Sequence, residues 1–119
     1  MKHIISSEGL LEQINQMRSA IHENLLSLME KHNAREVDCY EHDDCPIVYS
    51  GYGDECMTLD SIEVITTPSV KCIQFNCSGS YSNDYTTPNS MDIELLINTY
   101  KWIVANEEIL FNQNEDDEE

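Results

Sequence analysis

Leu10, Ile14, Met17, Ile21, Leu25 and Leu28 recur at steps of three or four residues, and this spacing constrains the chain more than any other feature. A 3.6-residue period places all of them on one stripe, so the segment is expected to be an amphipathic α-helix buried along that face. Leu11, Leu26 and Met29 widen the stripe. Ser6 or Ser7 can cap the helix, Glu8 sits near the positive end of its dipole, and Asn33 is a suitable stop. About 25 residues at 1.5 Å each give a rod about 38 Å long.

Beyond Asn33 the period changes to two. Residues 37–41 alternate, 47–49 form a short apolar run after Pro46, and 71–77 place Ile73, Phe75 and Cys77 opposite Cys72, Gln74 and Asn76. Residues 57–59 and 62–64 alternate on opposite parity, which predicts a bulge or tight bend at Asp60 and Ser61. Turn-forming residues fill 41–46 and 51–54, and such connections are too short for helical crossovers. The expectation is a four-stranded antiparallel meander. Residues 79–83 read as a polar loop.

Thr87 and Pro88 then look like the cap and first turn of a last helix, with Asp92 and Glu94 close behind. Ile93, Leu96, Ile97, Tyr100, Ile103 and Val104 give its main apolar face, and Leu95, Trp102 and Ile109 a second one. Trp102 is expected to lie under the first helix. The order of elements predicts an α+β two-layer sandwich: an N-terminal long helix, the sheet, and a C-terminal helix, with both helices on one sheet face. Residues 1–111 are expected to form a single domain and 112–119, which lack apolar side chains, a disordered acidic tail.

Charge narrows the function. The 119 residues carry 6 bases and 23 acids, a net charge of −17. Residues 36–70 contain nine acids and no Lys or Arg, and residues 102–119 contain seven more, again with no base. The rest of the chain is nearly neutral. Direct nucleic-acid binding is excluded, because phosphates require a basic face. No apolar run approaches the roughly 20 residues of a membrane span, so a cytoplasmic protein is expected.

Candidate chemistry is sparse. The five cysteines are an odd number, and free thiols are expected. Cys39, His42, Cys45 and Cys56 could supply a tetrahedral zinc set, but their spacing matches no standard two-knuckle pattern. Cys39 also falls on a core position of its strand. No cofactor is therefore expected. His42 beside Asp43 and Asp44 has no nucleophile motif to serve, and an acidic chain is poorly built to lower a thiol pKa. His3, His22 and His32 are expected on solvated surface.

The middle acids are a different matter. Glu36 and Asp38 share one face of their strand, and Glu41 and Asp43 would share the other if the strand continued. Residues two apart on a strand project the same way about 6.6 Å apart. This gives a row of negative charge on the scale of a nucleic-acid backbone. Glu36, Asp38, Glu41, Asp43, Asp44, Asp54, Glu55, Asp60 and Glu63 form the candidate partner-binding set, with Tyr40 and Tyr52 for apolar grip. Tyr52, Tyr81 and Tyr85 are the tyrosines expected to be exposed.

In composition the chain resembles small acidic proteins that neutralise nucleic-acid enzymes, among them anti-restriction and anti-CRISPR inhibitors, DNA mimics and immunity proteins against nucleases. The resemblance implies a non-catalytic inhibitor, monomeric or homodimeric, whose partner is a basic nucleic-acid-binding protein or nuclease. The alternative is a structural or regulatory protein that self-associates through its helices, its acidity serving only solubility.

Overall fold

Ser6 starts the first helix by accepting a hydrogen bond from the Gly9 N–H at 3.0 Å, and α1 runs from Ser7 to Lys31. Its C-cap is His32, followed by Asn33 at φ 53°, a left-handed conformation that asparagine tolerates better than most residues. The computed structural model describes residues 6–40, 42, 44–50, 56–79 and 82–116, without the side chains of 49, 50 and 113–116.

Five antiparallel strands follow: β1 (Glu36–Asp38), β2 (Ile47–Ser50), β3 (Cys56–Thr66), β4 (Lys71–Ser78) and β5 (Asn83–Thr86). β1 and β2 pair with the same edge of β3, β1 opposite 61–63 and β2 opposite 56–58. β4 lies on the other edge of β3, and β5 lies outside β4. Within β3 the register with β4 shifts between Leu59 and Ser61, so the expected bulge falls on Asp60. Its carbonyl accepts the N–H groups of Cys39 and Tyr40 at 2.7 and 3.1 Å, which ends β1 at Asp38 and ties the following turn to the sheet.

The C-terminal third departs from the sequence expectation at three points. β5 takes in the last residue of the expected loop, Asn83, and the three after it, its polar residues held by pairing with β4 rather than by β propensity. Thr87 does not cap the helix, because its carbonyl accepts the Ser90 and Met91 N–H groups and closes a turn. Arg18 of α1 fixes that turn by donating to the carbonyls of Pro88 and Met91. The cap is Asp92, which accepts the Glu94 N–H at 2.8 Å and opens α2 (Ile93–Ala105). At Asn106 the side chain donates back to the Trp102 carbonyl at 2.8 Å, and the chain restarts as α3 (Glu107–Asp116). Residues 112–116 of the expected tail thus belong to a helix.

The architecture is the α+β sandwich expected. One sheet face carries Val37, Leu59, Ile62, Ile73 and Phe75 into a core with Ile21, Leu25 and Met29 of α1, Leu96 and Ile103 of α2, and Leu110 and Phe111 of α3. Each such side chain contributes about 1.5–3 kcal/mol by leaving water. Trp102 is half-buried against this core. No helix among the described residues is long and apolar enough to cross a membrane.

The stripe on α1 is only partly used. The core covers α1 only from Ile21 onward, and Leu10, Leu11 and Met17, expected inside, are 49, 59 and 42% exposed.

Candidate functional site

Strand parity puts the acids on the sheet face opposite the described helices. In β3, the inward side chains Met57 and Leu59 precede the Asp60 bulge, and Ile62 resumes the inward set after it. Ser61 and Glu63 then face outward. Across the sheet, Glu36 stands opposite Glu63 and Gln74, and Asp38 opposite Ser61 and Asn76, with Tyr85 beyond. The outer face thus presents Glu36, Asp38, Asp60 and Glu63 on β1 and β3, beside the polar side chains of β4.

Neutral side chains of β3 and β4 hold three of these carboxylates, those of Glu36, Asp60 and Glu63. Ser61 Oγ donates to Glu36 Oε2 at 3.0 Å, and Asn76 Nδ2 donates to Ser61 Oγ at 2.9 Å and to Glu63 Oε1 at 3.1 Å. Gln74 Nε2 donates to Asn76 Oδ1 at 2.9 Å, and Ser78 Oγ to Asp60 Oδ1 at 3.0 Å. Hydroxyl and amide donors thus orient Glu36, Asp60 and Glu63. Glu36 and Glu63 are directly opposed like charges, an arrangement that costs stability in a sheet.

No Lys or Arg of the described residues interrupts this face. The bases that bound the acidic stretch in sequence, Arg35 and Lys71, lie on the helix side of the sheet. There they line a cleft of about 620 Å³ together with Glu23, Glu30, Met29 and Val64.

Two aromatic rings border the acids. Tyr85 on β5 is 61% exposed, as expected, and Tyr40, beside the Asp60 bulge, is 58% exposed. Asp44 is exposed in the turn between β1 and β2 at φ 61°, off the strands. Glu41, Asp43, Tyr52, Asp54 and Glu55 of the candidate set lie outside the described residues, as do Tyr81 and His3. Ser61, Gln74, Asn76 and Ser78 were missing from that set. The alternation of β4 already put Gln74 and Asn76 on this face, but nothing local linked them to acids 11 or more residues away.

The thiols report the same electrostatics. Burial first, then the nearby Cys45, Asp38 and Asp60, pushes the Cys39 thiol far above its ordinary range. Burial, with Asp84 and Asp60, pushes Cys77 up to about 11. Both are held protonated at neutral pH. Cys45 Sγ donates to the carbonyls of Cys39 and His42 at 2.7 and 3.1 Å. Among the described residues no group of three or more His, Cys, Asp and Glu is placed to hold a metal ion, the Cys39, His42, Cys45 and Cys56 set included.

Two histidines expected in solvent are structural. His22 Nε2 accepts the Ile73 N–H at 3.1 Å. His32 stacks on Phe111 with ring centroids 4.2 Å apart and shares the Glu107 carboxylate with Lys31, at 2.7 and 3.0 Å. Comparison of the chain with protein-family models, with curated proteins and with solved structures finds no match to any of them.

Proposed function

We propose that this chain is a non-catalytic acidic binding protein whose outer sheet face occupies the basic surface of a nucleic-acid-handling protein. One observation carries the proposal: Glu36, Asp38, Asp60 and Glu63 share a face with no Lys or Arg among the described residues. Adjacent strands place the Cβ atoms of opposed acids about 5 Å apart, and positions two apart on one strand lie about 6.6 Å apart. A rigid array at this spacing meets a Lys/Arg groove much as phosphates do. Tyr85 and Tyr40 add apolar contact at little entropic cost. Retaining an opposed Glu36/Glu63 pair at a cost to the fold is explained by a partner that neutralises it.

The test is capture of partners from nuclease-treated lysate, eluted with stepped salt. A basic nucleic-acid-handling protein should be retained and then released at moderate salt, because long-range attraction dominates the encounter. The variant carrying Glu36→Gln, Asp38→Asn, Asp60→Asn and Glu63→Gln keeps the hydrogen-bond acceptors and removes four charges. It should lose the partner while its circular dichroism stays that of the parent. Equal retention by parent and variant refutes the assignment of this face.

A further inference from the structure

We propose that the cleft between α1 and the helix side of the sheet binds a short apolar peptide with free ends, its ammonium on the α1 wall and its carboxylate on the sheet wall. The site lies across the sheet from the acidic array and is independent of the function proposed for that array. Its volume of about 620 Å³ falls within the roughly 300–1,000 Å³ of small-ligand sites. Glu23, Ser27 and Glu30 follow one another at steps of four and three, so they share one stripe of α1, the two acids about 10.5 Å apart along its axis. The facing wall is set by the backbone. After α1 the Asn33 N–H goes to the Glu30 carbonyl and the Ala34 N–H to the Met29 carbonyl, at 3.0 and 2.9 Å, and Asn33 at φ 53° turns the chain toward the sheet. The Arg35 carbonyl then accepts the Val64 N–H at 2.8 Å, while Lys71 stands opposite Thr66. The two bases thereby flank β3 from its two edges. Between the walls, the partly buried Leu26, Ala34 and Val64 make an apolar floor with Met29.

These charges are not spent on one another. Two of the six bases in a chain with 23 acids meet in this cleft, yet among the described residues neither Arg35 nor Lys71 makes an ion pair, with the two lining acids or with any other. Charge and length select the occupant. A simple anion would approach Arg35 and Lys71 against the field of a chain carrying −17, and a simple cation would be drawn more strongly to the outer face. A zwitterion is neutral toward that field and meets both walls through charge-assisted hydrogen bonds. Three extended residues span about 10–11 Å. That matches the spacing of Glu23 and Glu30 on one wall, and Arg35 and Lys71, two strands apart on the other, are separated by about as much. A peptide of about three residues therefore reaches from an acid at one end to a base at the other, with its side chains on the apolar floor.

Methyl NMR titration of the full chain with the tripeptide Ala-Leu-Ala tests this. Binding in the millimolar range or tighter is expected to move the methyl signals of Leu26, Met29 and Val64 and to leave those of Leu10 and Leu11 in place. Acetylating the peptide's amine or amidating its carboxyl should each weaken binding by about tenfold, the loss of one charge-assisted contact, and blocking both should abolish it. Arg35→Gln and Lys71→Gln should each weaken binding by about five- to tenfold and reduce the preference for the free carboxyl over the amide. Both side chains are exposed, so these variants should keep the parent's circular dichroism and Tm. Lys101→Gln, which removes an exposed base on α2, should bind as the parent does. So should the four-amide variant of the outer face, which separates failure here from failure of the proposed function. No methyl shift at millimolar peptide, shifts confined to residues outside the cleft, equal binding of free and doubly blocked peptide, or indifference to both cleft variants overturns the proposal.

Discussion

Replacing His22 by Ala should destabilise the fold through a single backbone group. β5 covers β4 only from Phe75 to Ser78, so the edge of β4 is open at Ile73. The Val64/Ile73 pair is not hydrogen-bonded between its strands: Val64 N–H goes to the Arg35 carbonyl at 2.8 Å, and Ile73 N–H points away to His22 Nε2. The imidazole thus accepts at Nε2 and carries its proton on Nδ1, which faces Glu23 Oε2 at 3.7 Å. In the Ala variant the Ile73 N–H loses its partner on the margin of the core. An unsatisfied, partly buried donor costs about 1–3 kcal/mol, and lost packing of the half-buried ring adds to it. For a chain of this size that is a fall of about 4–12 °C in Tm. His22→Gln, whose side-chain amide oxygen reaches close to the Nε2 position, should recover about half. Urea denaturation gives the free energies, and amide hydrogen exchange reports on Ile73 directly, with faster exchange in Ala and partial protection in Gln. Equal losses for Ala and Gln, or unchanged exchange at Ile73, would show that the ring acts by packing alone.

Three further outcomes follow from the same geometry. Glu36→Gln and Glu63→Gln should each leave stability equal to the parent or raise it by up to about 1 kcal/mol in low salt. The gain should shrink as salt is added, and a loss that salt does not change would contradict the like-charge account. Hydrogen bonds from His32 first and Lys31 second hold the Glu107 carboxyl below its ordinary value of 4.5. Its contribution to stability is therefore complete above about pH 4.5 and lost as pH falls through the lowered value, so Glu107→Gln should flatten the acid limb of the stability profile. Finally, alkylation of the native protein near pH 8 should modify the exposed Cys56 and Cys72 first, while Cys39 and Cys77 react only after unfolding, as peptide mass spectrometry would read.

What could be read in the sequence was what is decided locally. Ser6, Asn33 and the parity break at Asp60 act through their own neighbours, and each did what its position implied. Thr87 failed as a cap because two equally good local signals compete, and a distant one decides between them: Arg18, some 70 residues away, holds the 88–91 carbonyls in a turn and leaves the capping to Asp92. His22 and His32 were illegible for the same reason, their partners lying 51 and 75 residues on. β5 carries no apolar alternation of its own and exists as a strand because β4 offers it an edge. Periodicity revealed the whole stripe of α1 but not where its cover stops, since that is set by the elements packed against it.

The acidic face shows most clearly how a linear charge block becomes a surface. In sequence the block is bounded by Arg35 and Lys71, near enough to neutralise its ends. In the fold, Arg35 precedes Glu36 by one residue and Lys71 precedes Cys72 by one, so alternation sends both bases to the helix side, into the cleft with Glu23 and Glu30. A register slip of one residue in β1 would instead bring Val37 out and turn Glu36 and Asp38 against Ile62 and Phe75, an arrangement that burial forbids. The hydrophobic demand of Val37, Ile62 and Ile73 is therefore what keeps the outer face free of these bases. The Asp60 bulge serves the same end: if these residues ran as a regular strand with no bulge, either Ile62 would lie on the acidic face and Glu63 point into the core, or Leu59 would lie on that face and Asp60 point inward.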